Sequence, residues 1–182
     1  MAEIRQAGFD RALLRQLEDK GLTETSVADR SEEKPYPDAM VSASPVRPNP
    51  EQIRALTAIE HDLGFQCSLI DGVTGSGKTE VYMQVMTKVL EAGKQCLLLV
   101  PEIGLTPQNL RRFEQRFNCP VVAMHSAMTD RERLLAWRAT RSGCAPIVIG
   151  TRSAIFLPLA NPGIIIIDEE HDASFKQQEG LR

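Results

Sequence analysis

Apolar and polar residues alternate along the chain in two rhythms, which together predict a layered domain from Arg47 onward. Short, almost uninterrupted apolar runs are typical of strands buried on both faces of a parallel sheet. Longer stretches with apolar residues three or four positions apart indicate amphipathic helices. Because the short apolar runs alternate with the helical stretches along the chain, we expect a parallel sheet with helices on both faces. The five predicted strands are Cys67–Ile70, Gln95–Val100, Val121–Met124, Ile147–Ile149 and Ile164–Ile167.

Capping residues mark where the predicted helices begin and end. Asn49-Pro50-Glu51 combines an N-cap, a proline at the first helical position and an early acid, so a helix starts there. A second helix covers Glu80 to Ala92 and is closed by Gly93. Two more helix starts are predicted by Thr106 before Pro107 and by the capping box of Thr129 and Glu132.

The first 47 residues do not show this alternation of strands and helices. Residues 1–24 have leucines at helical spacing and a glycine at position 21, which predicts one short amphipathic helix. Residues 25–47 are rich in Ser, Pro, Glu and Asp, which is typical of a linker. We therefore expect the α/β domain to occupy residues 48–182.

Composition narrows the setting of the protein. The net charge of −3 provides no global basic field, so any nucleic-acid contact must come from local features. The four cysteines are scattered, which argues against a zinc site or a disulfide framework in this chain, and Cys67 and Cys96 are expected in the core. Because the sequence has no signal-like or membrane-spanning apolar stretch, we expect a cytoplasmic protein without membrane contact.

Residues 72–79 fit the pattern G-x-x-x-x-G-K-[ST], between a predicted strand and a predicted helix. Backbone N–H groups of such a loop converge on anionic oxygens, and its glycines leave room for the close approach. Lys78 is expected on the β and γ phosphates and the Thr79 hydroxyl on magnesium, which favours an ATP site over a chance glycine-rich turn. The candidate ATP-binding residues are Gly72, Val73, Thr74, Gly75, Ser76, Gly77, Lys78 and Thr79.

A second group of candidate residues follows the last predicted strand, where four isoleucines run into Asp168-Glu169-Glu170-His171. In a parallel sheet this position lies at the carboxyl edge, beside the phosphate loop. Asp168 is expected to hold magnesium, and Glu169 to orient and deprotonate the attacking water. Alone, these acids could equally form a solvated turn; with the phosphate loop they predict a P-loop NTPase of RecA-like fold. A transport ATPase or a kinase stays open on these two motifs.

Four segments carry a resemblance to a known family. Asp168-Glu169-Glu170-His171 resembles the DExH box of superfamily 2 helicases. Residues 100–108 (VPEIGLTPQ), 149–156 (IGTRSAIF) and 171–180 (HDASFKQQEG) are similar to one family within it, the bacterial primosomal DNA helicases. Residues 1–24 resemble the end of the winged-helix domain that precedes the helicase core in that family. The resemblance implies an ATP-dependent 3′-to-5′ DNA helicase in replication fork restart and primosome assembly.

The resemblance also implies roles outside the two motifs. Gln52 resembles a glutamine that reads adenine, and an ordinary exposed helix residue is the equal alternative. His171 is expected to couple the nucleotide state to DNA, whereas arginines such as Arg116 are expected on solvated helix surfaces. A salt bridge is the alternative role for Arg152. The expected contacts with DNA are Gly104, Thr106, Gln108, Thr151, Arg152 and Ser153.

We expect the chain to be a fragment of such a helicase that binds ATP and magnesium weakly and unwinds nothing alone. A second RecA-like lobe with an arginine finger and a zinc-binding insertion are expected outside it, and the sheet here is expected to have an exposed edge. The resemblance implies DNA, primosome proteins and single-strand binding protein as partners. A non-motor P-loop nucleotide switch and an RNA helicase stay open as alternative functions.

Overall fold

The computed structural model describes residues 11–22, 47–59, 65–73 and 75–176. The chain divides into two compact units, Met1–Glu32 and Glu33–Arg182. In the first unit, helix α1 covers Arg11–Asp19, and Gly21 follows it with a φ of 66°. The amide of Leu22 donates to the carbonyl of Leu17, so the helix ends at the glycine as predicted. Residues 25–46 of the predicted linker, Thr74 and residues 177–182 lie outside the described residues.

Among its described residues, the second unit carries three short 3₁₀ turns, at residues 102–104, 152–156 and 173–175, besides its helices and strands. None of the described helices is long and apolar enough to cross a membrane. The regular elements, in chain order, are α2 (Pro50–Ile59), α3 (Lys78–Glu91), β1 (Gln95–Leu99), α4 (Pro107–Phe117), β2 (Val121–Met124), α5 (Asp130–Arg141), β3 (Ile147–Gly150) and β4 (Pro162–Ile167).

The described strands form a parallel sheet in the order β2-β3-β1-β4. Strand β1 lies in its interior, with Leu97 paired to Val148 of β3 on one side and to Ile165 of β4 on the other. Parallel neighbours require crossover connections, which the intervening helices supply. The predicted parallel α/β architecture of RecA-like type is confirmed.

Helices pack on both faces of this sheet. Since successive side chains of β1 point to opposite faces, β1 contributes to a core cluster on each side. Cys96 and Leu98 pack in a core cluster with residues of α3 and α4, including Met86 and Phe117. Leu97 and Leu99 pack in a second cluster, with residues that include Ala139 of α5 and others on the 3₁₀ turn after β3. Every residue of β1 and β3 is buried.

The predicted strand Cys67–Ile70 was wrong. Residues 65–73 have no regular structure, and the side chains of Phe65 and Leu69 are 99% and 85% exposed. Cys67 is exposed too, which corrects its predicted place in the core, whereas Cys96 is buried as predicted. An apolar run becomes a strand only when a neighbour satisfies its backbone groups, and no described strand pairs with this segment.

Strand β4 also differs from the prediction that both of its faces are covered. Ile164 and Ile166 pack against the cluster formed with α3, but Ile165 and Ile167 are each 49% exposed. Strand β4 is the edge of the described sheet, and an open cleft of about 1040 Å³ separates it from residues 65–72. The expected exposed edge is therefore present at β4.

The three helix starts predicted from capping residues are confirmed, whereas α3 begins at Lys78 and not at the predicted Glu80. Asn49 Oδ1 accepts hydrogen bonds from the amides of Glu51 and Gln52 at the start of α2. Thr106 caps α4 by accepting from the amide of Asn109. Thr129 and Glu132 form a complete capping box at the start of α5, with each side chain bonded to the other residue's amide.

Candidate functional site

The phosphate loop has the backbone shape that anion binding needs. Gly75 and Gly77 have φ values of 82° and 87°, a left-handed conformation that side chains rarely tolerate. The Ser76 amide donates to the Val73 carbonyl at 3.1 Å, which closes a turn directly before α3. Helix α3 starts at Lys78, so its free N–H groups face the loop.

Side chains closely approach two glycines of the loop. A Cβ at Gly72 would meet Ser76 Oγ at 2.8 Å, and a Cβ at Gly77 would meet Gln52 Nε2. The ammonium of Lys78 donates to the carbonyl of Gly72, so the lysine side chain lies over the loop. The loop therefore combines a cation, a helix N-terminus and glycines, and this donor set fits a nucleotide phosphate chain.

Gln52 contacts the phosphate loop although it lies on another helix. Its side-chain amide donates to the Gly77 carbonyl at 3.3 Å, and its Oε1 accepts from the Asn49 amide at 2.9 Å. The side chain is half-buried, which argues against the alternative of an ordinary exposed helix residue. Helix α2 thus presents a fixed polar side chain beside the nucleotide loop.

The phosphate loop meets the acidic end of β4 through a third residue, Tyr82. The Tyr82 hydroxyl lies 3.1 Å from Thr79 Oγ1 and 3.2 Å from Asp168 Oδ2. An ionised carboxylate only accepts hydrogen bonds, so the phenol donates to Asp168 and accepts from the Thr79 hydroxyl. The two side chains expected to hold magnesium are therefore joined by one tyrosine.

Burial fixes the protonation state of this tyrosine. The Tyr82 side chain is 6% exposed, and desolvation raises its pKa from 10.0 to about 12. The hydrogen bond from Thr79 lowers this pKa, while the charge of Asp168 and the hydrogen bond to it raise it. At neutral pH the hydroxyl consequently keeps its proton and remains a donor.

Glu169 has an uncommon backbone conformation for its residue type, with a φ of 52°. Its carbonyl accepts from the Asp172 amide at 2.8 Å, and its Oε2 lies 3.4 Å from His171 Nε2. The turn ends where Asp172 accepts from the Ser174 amide, which lowers the pKa of Asp172. Such a strained position at a strand end is typical of functional residues.

The chemistry of these side chains fits magnesium. The cation prefers oxygen ligands and keeps several waters, so one hydroxyl and one carboxylate beside a phosphate site suffice. Thr79 and Asp168 offer those oxygens at the carboxyl edge of the sheet, next to the loop. The cleft that contains Lys78, Asp168 and Glu169 is open to a ligand.

The segments expected to contact DNA lie at the same edge of the sheet, because they follow the carboxyl ends of β1 and β3. Gly104 is held by its carbonyl, which accepts from Asn109 Nδ2 at 2.8 Å. After β3, Thr151 is buried, while Arg152 is exposed and makes no ion pair with any described carboxylate. The exposed members of this set are Thr106, Gln108, Arg152 and Ser153, and the expected coupling residue His171, after β4, is exposed too.

Two features of the site region were missed by the sequence patterns. Tyr82 belongs to no motif, and only the helical spacing from Thr79 could have suggested that the two side chains meet. Arg116 was expected on a solvated surface, but its guanidinium lies 3.3 Å from Glu80 with both side chains largely buried. Glu80 follows the phosphate loop directly, so this ion pair joins α3 to α4.

The parallel sheet and the phosphate loop are those of a RecA-like P-loop NTPase, and a comparison with protein families agrees. Residues 49–182 match the family described as DEAD/DEAH box helicase, and the chain belongs to that family. Among individual proteins it is similar to three called replication restart protein PriA. Haemophilus influenzae PriA is 53% identical over 134 residues, which are 74% of this chain and 18% of that protein. The proteins of Synechocystis sp. and Bacillus subtilis are 45% and 43% identical over 91% and 92% of this chain, and 20% and 21% of their own lengths.

The chain thus spans about a fifth of the length of these relatives. What the relatives do as whole proteins is consequently a matter of proposal for this chain.

Proposed function

We propose that this chain contains the ATP-binding lobe of a DNA helicase that hydrolyses ATP with magnesium. The proposal is carried by one observation, the meeting of the phosphate loop with the acidic end of β4 through Tyr82. A nucleotide binder needs only the loop, whereas hydrolysis also needs a carboxylate beside it. Family membership supports ATP and magnesium as the cofactors in general.

The roles of the residues follow from their chemistry. The N–H groups of Gly72–Thr79 and the Lys78 ammonium bind the phosphate oxygens, and Gln52 contacts the adenine. Thr79 and Asp168 hold magnesium, which when bound neutralises charge on the β and γ phosphates. Glu169 orients the attacking water and accepts its proton. Glu169, at a positive φ just after β4, lines the same cleft as Lys78 and Asp168.

The proposal extends to DNA and to replication forks. Thr106 opens α4 at the carboxyl edge of the sheet, where free N–H groups can hold a phosphate, and Arg152 is exposed at the same edge. His171, whose Nε2 lies 3.4 Å from Glu169 Oε2, links the two sites. The relatives are named for replication restart. With the sequence resemblance to the primosomal DNA helicases, this name supports a 3′-to-5′ motor that acts with primosome proteins and single-strand binding protein in the bacterial cytoplasm.

The first test is equilibrium binding of a fluorescent ATP analogue with magnesium to the wild type and to Lys78→Ala. Loss of a charge-assisted bond to phosphate is expected to weaken binding about 10- to 100-fold. Lys88→Ala, at the other end of α3, is the matched control and should bind like the wild type. A folded wild type that does not bind the analogue would contradict the proposal.

A second measurement separates a motor from a non-motor nucleotide switch. Single-stranded DNA is expected to accelerate ATP hydrolysis by the full-length protein, because a motor couples its nucleotide site to its track. A switch protein would hydrolyse at the same rate with and without DNA. An equal response to RNA of the same sequence would favour an RNA helicase instead.

A further inference from the structure

Tyr82 lies one turn into the helix that follows the phosphate loop, and the core holds its ring in place. The ring belongs to the same buried cluster as Met86, Leu98 and Phe113. A side chain packed in this way has little rotational freedom, so the position of its hydroxyl is set by the core. The hydroxyl reaches out of that core to exactly two side chains among those described, Thr79 and Asp168.

The direction of the two hydrogen bonds determines which atoms are left for a cation. A threonine hydroxyl has one hydrogen and two lone pairs. Because the Thr79 hydrogen points at the Tyr82 oxygen, a lone pair of Thr79 is left for a metal ion. The phenol occupies Asp168 Oδ2, which leaves Oδ1 for the ion or for a water bound to it. Tyr82 therefore orients both expected ligands at once.

We propose that Tyr82 is a positioning residue for magnesium, which holds Thr79 and Asp168 in the orientation that binds the ion. This inference rests on the proposed function, since it takes the ATP–magnesium site as given. Partners of this kind, which touch metal ligands and not the metal, typically contribute 10- to 100-fold to metal affinity. The side-chain hydrogen bonds of the Tyr82 hydroxyl go to the two expected magnesium ligands, so its removal should affect magnesium binding more than nucleotide binding.

The test compares the wild type with Tyr82→Phe, which removes one oxygen and keeps the packed ring. In one titration, a fluorescent ADP analogue is added to the chain in excess EDTA. In a separate titration, MgCl₂ is added to the chain at a fixed concentration of the analogue. Thr87→Val is the matched control, because it also removes one hydroxyl from α3. The Thr87 hydroxyl donates to the Met83 carbonyl at 3.0 Å and lies away from the site. Circular dichroism and urea unfolding establish that each variant is folded.

We expect Tyr82→Phe to bind the analogue in EDTA like the wild type, with a magnesium midpoint raised about 10- to 100-fold. Thr87→Val should leave both quantities unchanged. An unchanged magnesium midpoint in Tyr82→Phe overturns the inference, and so does an equal loss of affinity with and without magnesium, which indicates a merely structural tyrosine. A folded wild type that binds no analogue overturns the proposed function as well, so the two failures are distinguishable.

Discussion

The two neighbours of Leu97 in the sheet have very different surroundings. On one side Val148 of β3 is fully buried, and on the other Ile165 of β4 is 49% exposed. We call β1, β2 and β3 with the helices α4 and α5 the closed half, and β4 with residues 65–73 the open half. Both halves contain apolar runs, but only the closed half has a covering layer on each face.

This difference shows which part of the fold holds the site residues in place. The phosphate loop follows the irregular segment of the open half, yet α3 anchors it to the core of the closed half through Tyr82, Met83 and Met86. The acidic residues follow β4, whose backbone is fixed by pairing with β1 up to Ile167. Tyr82 therefore links the site across the boundary, and its hydroxyl is placed by the better packed half.

The largest expected contrast between the halves is in thiol reactivity. Cys67 is exposed in the open half, whereas Cys96 and Cys119 are buried. Burial raises the pKa of Cys119 to about 11, and it raises the pKa of Cys96 as well. Since the thiolate is the reactive form and access requires local opening, iodoacetamide at pH 8 should modify Cys67 on the order of a thousandfold faster.

Mass spectrometry of the modified peptides gives each rate separately. In concentrated urea the rates should converge, because burial and its effect on the pKa are lost on unfolding. In the folded protein the Cys119 rate should rise as the pH approaches 11, where its thiolate forms. Slow modification of Cys67 in the folded protein would break the comparison, because the open half would then be covered.

A matched pair of substitutions measures the packing difference as free energy. Ile147 of β3 is completely buried, and Ile165 of β4 is half-exposed. Ile147→Ala is expected to lower the free energy of unfolding by about 2 to 5 kcal/mol, because it loses buried area and leaves a cavity. Ile165→Ala loses a smaller area at an open edge, so its cost should be about 1 kcal/mol.

Urea unfolding gives both free energies, provided that the free energy falls with urea concentration at the same slope in the wild type and both variants. Equal costs within error would mean that Ile165 is as well packed in solution as Ile147, and the two halves would not differ. The unchanged slope is the control, since a changed slope would signal a different unfolded or native state.

Most of the fold could be predicted from the sequence because its signals are local. The capping box of Thr129 and Glu132, the glycine that ends α1 and the apolar runs of β1 and β3 each need only their neighbours in the chain. The four strands that have a partner strand were predicted, whereas the run at Cys67–Ile70 has the same pattern and no partner. Pairing across the sheet is a long-range property, and periodicity does not report it.

The site residues divide in the same way, into those that a local motif predicts and those whose contacts depend on the fold. The phosphate loop is one continuous segment of the chain, so its shape follows from its glycines and its lysine. Tyr82 bonds Asp168 across the fold, and Arg116 bonds Glu80 between two helices. Helical spacing placed Arg116 beside exposed arginines, but the packing of α4 on the core buries it. Contacts between distant segments decide such roles, and one sequence does not contain them.

The smallest expected effect compares one helix cap from each half. Thr129→Ala removes the cap of α5, a helix of 12 residues in the closed half, and should cost about 1 kcal/mol in urea unfolding. Asp172→Ala removes the cap of a 3₁₀ turn of three residues after β4. Because that turn adds little to the cooperative core, we expect no measurable change in the free energy of unfolding. A larger cost for Asp172→Ala than for Thr129→Ala would show that the acidic end of β4 unfolds together with the closed half, and the boundary would then lie beyond Asp172.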